Sequence, residues 1–205
     1  MICTARLSLI CVAVLIVLSG CASYKSSPLH RLATTPVKVI EKNKDKVLFA
    51  HRVYNKADCE RYLGRDVLAA GYQPVQLTIT NQTQRNLLFS LNNVSLPCVN
   101  QEVVKSLVHT STTSRAVGYG IPGLILAPLI VPAIVDSIWS SEANKQLDVD
   151  YDAKSSEEQT IRSGETLNGV IFVPLCEFCQ TFSITLLDLK NSKKLELRAS
   201  PENVA

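Results

Sequence analysis

Twenty consecutive residues, Ala116 to Val135, carry no charge, and stretches of strand character lie on both sides of them. As one helix they would span about 30 Å, the thickness of a bilayer's hydrocarbon layer. Pro122, Pro128 and Pro132 each remove a backbone donor, and Gly118, Gly120 and Gly123 weaken the first turns, so a continuous helix is disfavoured. A crossing would also put the flanking strands on opposite sides of the membrane. The expectation is an apolar segment that packs on the protein's own domain, dips into a bilayer or binds a partner. Those three alternatives stay open.

The flanks read as strands. Lys46 to Tyr54 is β-branched and aromatic, and Val75-Gln76-Leu77-Thr78-Ile79-Thr80 alternates as a half-buried strand does. Asn81-Gln82-Thr83 supplies a turn after which Asn86 to Ser90 can return as the partner strand. Leu167 to Val173, Thr181 to Leu189 and Leu195 to Ala199 are three more candidates, punctuated by Ser163-Gly164-Glu165 and Lys190-Asn191-Ser192. A short helix is expected between Cys59 and Gly71, with Gly71 as its cap. Val103, Val104, Leu107 and Val108 keep helical spacing, as do Trp139, Ala143, Leu147 and Tyr151. The predicted fold is mainly β: an immunoglobulin-like antiparallel β-sandwich over residues 37–205, with a partly apolar helical insert over 101–155.

The start of the chain has a different character. Arg6 precedes a run, Leu7 to Leu18, that is apolar except for Ser8, the length of an export signal's central region. Leu18-Ser19-Gly20-Cys21 then resembles the bacterial lipobox at all four positions. The resemblance implies cleavage of residues 1–20, diacylglycerol on the Cys21 sulfur and acylation of the new amine. Ala22 rather than Asp follows the cysteine, which in Gram-negative lipoproteins implies the outer membrane, facing the periplasm. Residues 21–36, rich in Ser, Thr and Pro, read as a flexible tether that could extend roughly 50 Å. What is left is enough for one domain with its own core.

Several motifs fail on inspection. Gly118-Tyr119-Gly120-Ile121-Pro122-Gly123 spells G-x-G-x-x-G, yet a Ser/Thr run precedes it where a strand is needed, and Pro122 deletes a donor. Asp148-Val149-Asp150-Tyr151-Asp152 begins like a calcium loop. Ala153 stands where the loop's sharp-turn Gly belongs and Gln159 where its bidentate Glu belongs, so a solvated helix end is the better account. His30, His51 and His109 are scattered. A net charge of +3 without a basic cluster points to no nucleic-acid partner. No metal, cofactor or enzymatic activity is expected.

Four cysteines remain after lipidation: Cys59, Cys98, Cys176 and Cys179. In an oxidising periplasm disulfides are expected, with three pairings open. Cys176-Glu177-Phe178-Cys179 lies between strands, so a structural disulfide within a hairpin loop is favoured over a redox pair.

Gln73 to Asn81, Arg115 to Gly120, Ser140 to Leu147 and Gly164 to Pro174 together resemble a group of uncharacterised bacterial lipoproteins. That resemblance implies the sandwich-with-insert architecture and carries over no activity or site residues. The functional expectation is a non-enzymatic envelope module, structural or interacting, anchored to the membrane through Cys21. Its contact surface for an envelope protein or bilayer would be Ile125, Leu126, Leu129, Ile130, Ile134 and Trp139. The alternative is a periplasmic thiol–disulfide protein using Cys176 and Cys179.

Overall fold

The computed structural model describes the backbone of residues 23–36, 46–109 and 130–199, and side chains over 23–34, 46–109 and 140–199. The chain forms two units. One comprises Met1–Lys25 and His109–Val149, the other Ser26–Val108 and Asp150–Ala205.

The second unit holds two antiparallel four-stranded sheets. The first has the order β1 (Thr35–Pro36), β2 (Val47–Val53), β3 (Tyr72–Asn81), β6 (Thr166–Pro174). The second runs β5 (Gln159–Ile161), β4 (Leu87–Phe89), β7 (Phe182–Asp188), β8 (Lys194–Ala199). β7 shows why the segment is a strand: burial alternates residue by residue, with Phe182, Ile184 and Leu186 inward. These three, with Val47, Phe49, Val75, Leu77, Ile79, Leu167, Ile171 and Leu197, belong to one core shared by both sheets. A mainly β fold is therefore present, with each long strand within a residue or two of its expected limits, β3 apart.

Sheet membership differs from expectation. β4 does not return beside β3; the turn after Asn81 carries the chain into the other sheet, where Leu87 pairs with Ile161 and Asp188. Asn81 makes the corner. Its side-chain amide donates to the Arg85 and Ile161 carbonyls at 2.7 and 2.8 Å, and its Oδ1 accepts from Thr83. The predicted short helix also closes early. It begins at α1 (Lys56–Asp58), where Asn55 and Asp58 form a capping box, and continues through a π-helical turn, Cys59–Leu63. The turn ends on Gly64 at φ 64°, a left-handed conformation glycine adopts without strain, rather than on Gly71.

The insert leaves and rejoins the sheets at one place. Val99 bridges Phe172 and Ser155 bridges Val170, so both of its roots lie on the free edge of β6. Between them are α2 (Gln101–Val108) and α3 (Ile130–Lys154). The buried face of α2 is narrower than predicted: Val104, Lys105 and Val108 are buried, whereas Val103 and Leu107 are exposed. The α3 stripe matches its spacing at Ala143, Leu147 and Tyr151, all buried. Tyr151 stacks on Phe172 with ring centroids 5.9 Å apart. Within the first unit, His109 Nε2 lies 2.6 Å from Asp148 Oδ1.

Where the chain leaves α3 it crosses β6 at Gly169. A Cβ built there would stand 2.0 Å from Ser156 Oγ and 2.9 Å from the Lys154 carbonyl, which is backbone and cannot swing away. Gly169→Ala is expected to destabilise the protein by about 1–3 kcal/mol, read as a lower denaturation midpoint at unchanged m-value.

His51 points into the same core. It is 1% exposed, its ring stacked on Phe49 and edge-on to Phe182, with neither ring nitrogen hydrogen-bonded. Burial pushes its pKa below the ordinary 6.5. Between the two values the unfolded chain binds a proton that the folded one refuses, so stability is full above pH 6.5 and falls below it. His51→Leu should flatten this part of the stability–pH curve, removing a slope of up to about 1.4 kcal/mol per pH unit. Parallel curves for the two proteins in urea titrations between pH 7.5 and 5 would refute the assignment.

Candidate functional site

Cys21 lies outside the described residues, but the segment that follows it is on view from Ser23. The second unit holds residues 26–36 as part of its structure, not as a free tether. Thr35 and Pro36 pair with Phe49 and Leu48. Ahead of them the chain lies along the outer face of β3, where polar side chains receive it. Gln76 Nε2 donates to the His30 carbonyl at 2.7 Å, the Leu32 amide donates to Thr78 Oγ1, and Asn168 Nδ2 donates to the Leu29 carbonyl. Gln76 and Thr78 also donate to Asn168 Oδ1, and Tyr54 donates to Gln76 Oε1 at 3.0 Å. These groups read as the solvent face of a half-buried strand, yet Gln76 and Thr78 are 2% and 1% exposed. Buried amides and hydroxyls need partners, and the docked segment supplies backbone ones.

The dock ends at a buried ammonium. Lys154, on the last turn of α3, donates to Ser26 Oγ at 2.8 Å, the Tyr62 carbonyl at 2.7 Å and Asp150 Oδ2 at 2.6 Å. All three of its protons are thus used, which is what permits so complete a burial. Ser26 Oγ in turn donates to Asp150, and the Ser27 amide donates to the Arg61 carbonyl. Sequence reading missed this node. The one signal for it was Asp150 and Lys154 four apart on a helix.

The remaining carboxylates of the calcium-like stretch are also engaged. Asp152 accepts from Lys105 at 2.7 Å and Gln101 at 2.9 Å, with Glu102 2.5 Å from the same ammonium. Burial alone would lower the Lys105 pKa, but these carboxylates outweigh it and hold it above the usual lysine value. Among the described residues no three His, Cys, Asp or Glu side chains converge as a metal site. A shallow cleft of about 390 Å³ is lined by Arg31, Gln159, Glu165 and Thr166 among others. Its charges are mixed and no nucleophile faces a base there.

All four described cysteines are free thiols, against the expected disulfides. Cys59 is buried in the π-helical turn and burial pushes its pKa to about 11; Cys98 packs against the core and rises to about 12. Both therefore stay protonated and unreactive at neutral pH. Cys176 and Cys179 are exposed. They do not sit in a hairpin loop, because β6 and β7 belong to different sheets. Their connection passes through a single 3₁₀ turn, Leu175–Glu177, and then extends at Phe178.

Ile125, Leu126 and Leu129 of the expected contact surface lie outside the described residues. Ile130, Ile134 and Trp139 fall on α3, with their side chains outside them too. No helix among the described residues is long and apolar enough to cross a membrane. Set against protein-family models, curated proteins and solved structures, the chain matches none.

Lys154→Met keeps the stem's packing and removes the ammonium that Ser26, the Tyr62 carbonyl and Asp150 share. It should cost about 1–3 kcal/mol. Limited trypsin digestion should then cut faster after Arg31, with cleavage after Lys193 as the unaffected control. Equal rates at Arg31 in both proteins would show that Lys154 does not hold the segment.

Proposed function

We propose that the chain is a lipid-anchored, non-enzymatic module of the bacterial envelope, tethered through Cys21 to the outer membrane and facing the periplasm. The observation that carries this reading is the complete lipobox, Leu18-Ser19-Gly20-Cys21, behind an apolar run of export-signal length. The short spacing to the folded body fits this reading: Ser26, whose hydroxyl donates to Asp150, comes only five positions after the cysteine. A triacylated cysteine exceeds the two lipid signals that stable anchoring takes.

An immunoglobulin-like module is the architecture this reading favours. With β2 lettered A, the strand orders become A-B-E in the first sheet and C′-C-F-G in the second. The insert then occupies the connection between C and C′, and the exposed cysteine pair that between E and F. Such two-sheet domains commonly act by contact rather than catalysis, with function placed in loops at the sheet ends. In this reading the apolar stretch from Ile125 to Trp139 supplies the surface for an envelope protein or the bilayer. The thiol–disulfide alternative rests on two exposed sulfurs alone. It takes second place, since a single 3₁₀ turn offers no helix dipole to activate Cys176.

Mass spectrometry of the mature protein purified from membranes checks the proposal. The expected N-terminus is Cys21 carrying a diacylglyceryl group and an amide-linked acyl chain. Cys21→Ser should abolish palmitate incorporation and release the protein from the membrane fraction. A mature N-terminus elsewhere, or unchanged labelling in the variant, would overturn it.

A further inference from the structure

The docked segment fixes where the anchor leaves the folded body. Residues 26–36 run along the first sheet from one end to the other. Ser27 is held at Arg61 in the π-helical turn, and Thr35–Pro36 pair with Phe49 and Leu48, near the end of the sheet where Leu48 faces Thr80. The π-helical turn belongs to the other end. It lies between Val53, paired with Val75, and Tyr72, paired with Pro174, and there the Leu175 amide donates to the Gly71 carbonyl. The β7–β8 turn at Asn191 lies at the far end, where Asp188 pairs with Leu87 just beyond the Asn81 corner. The ten residues of β3 separate the two ends by about 33 Å.

We infer that the end of the second unit carrying Ser26 and Arg61 is its bilayer-facing surface, seated against phospholipid headgroups, and that the Asn191 end faces away. This rests on the reading of Cys21 as the lipidated residue. From Cys21 to Ser26 the chain can reach at most about 18 Å, because five residues extend no further. That is little more than the headgroup layer itself and about half the length of the sheets. The surface so placed carries charged side chains, with Leu175 exposed beside them. Arg61 is exposed with its guanidinium 5.2 Å over the Tyr62 ring. Lys56 lies 3.2 Å from Asp66, and Arg52 is paired with Asp58. Guanidinium and ammonium groups beside carboxylates suit the phosphate and amine of a phospholipid surface and would not enter its hydrocarbon.

The test uses full-length lipidated protein in phosphatidylethanolamine–phosphatidylglycerol vesicles containing a headgroup-borne quencher. In a Cys176→Ser/Cys179→Ser background, a fluorophore is attached through Arg61→Cys or, separately, through Asn191→Cys. The probe at position 61 should lose most of its emission and the probe at 191 little. Twenty Gly/Ser residues inserted between Ala22 and Ser23 give a flexible reach of about 27 Å, and should abolish the difference while the protein still floats with the vesicles. Equal quenching at both positions, or none at either, in protein that floats with the vesicles overturns the orientation and leaves anchoring intact. Protein that fails to float, with Cys21→Ser behaving the same, overturns the anchor and this inference together.

Discussion

The Gln76 side chain is the junction on which the first sheet, its covering segment and the loop after β2 depend. Its Oε1 accepts from Tyr54, and its amide nitrogen donates to Asn168 on β6 and to the His30 carbonyl. Each bond contributes only about 1 kcal/mol net, but leaving such a group buried and unpaired costs about 1–3 kcal/mol. The arrangement therefore acts through what it forbids. With the segment displaced, Gln76 and Thr78 lose the backbone partners it supplies and must turn to water in their place. An apolar cover would have bound as well and specified less. The polar seam fixes which residue of the segment lies over which residue of the strand.

The insert exploits a different constraint. β6 is the outer strand of its sheet, and an open strand edge is a template for unwanted pairing. Both roots of the insert close that edge, through the Val99 and Ser156 amides, which donate to the Phe172 and Val170 carbonyls at 2.9 and 3.0 Å. A long excursion between β4 and β5 thus begins and ends on one strand. Loop-closure entropy grows slowly with length, so the cost of such an excursion is small once its roots are fixed. Gly169 is the local price: the return path runs too close to β6 for any side chain at that position.

Strand periodicity made most of the β-structure legible, because alternation in β2, β7 and β8 follows from a single apolar core lying on one side. It could not say which sheet a strand joins. Asn86 to Ser90 alternates no differently as a neighbour of β3 than as a neighbour of β7, and the choice is made by Asn81, whose side chain turns the corner. The polar positions of β3 misled for a related reason. Alternation distinguishes two faces but not whether the polar one meets water or a strip of the same chain. The Ser, Thr and Pro content of residues 26–36 looked like a tether because, the Ser26 hydroxyl apart, docking there runs through backbone groups, which composition does not record. His51 broke the pattern in the opposite sense: an imidazole among inward residues, held by Phe49 and Phe182, with no polar partner to announce it. The cysteines were read from compartment chemistry. Burial of Cys59 and the inter-sheet path through Cys176 depend on tertiary placement that spacing does not encode.

Docking changes what an anchor at Cys21 means physically. Sixteen free residues would let a module drift and tumble within roughly 50 Å of the membrane, meeting partners in any orientation. With the segment laid along β3 from Ser26, at most residues 21–25 remain for a leash, and the volume it could reach shrinks far more steeply than the reach. Under the proposed anchoring, the module's effective concentration at the membrane would rise accordingly. Orientation follows from the same cause, since the segment is fixed along the sheet's length and leaves it at one end. Whatever the apolar insert contacts in the proposed reading, it would meet from a body already positioned by its N-terminus. The bonds of Lys154 to Ser26, Tyr62 and Asp150 matter for this reason: they fix the start of the docked segment, and so how much freedom a lipid at Cys21 would leave to the domain.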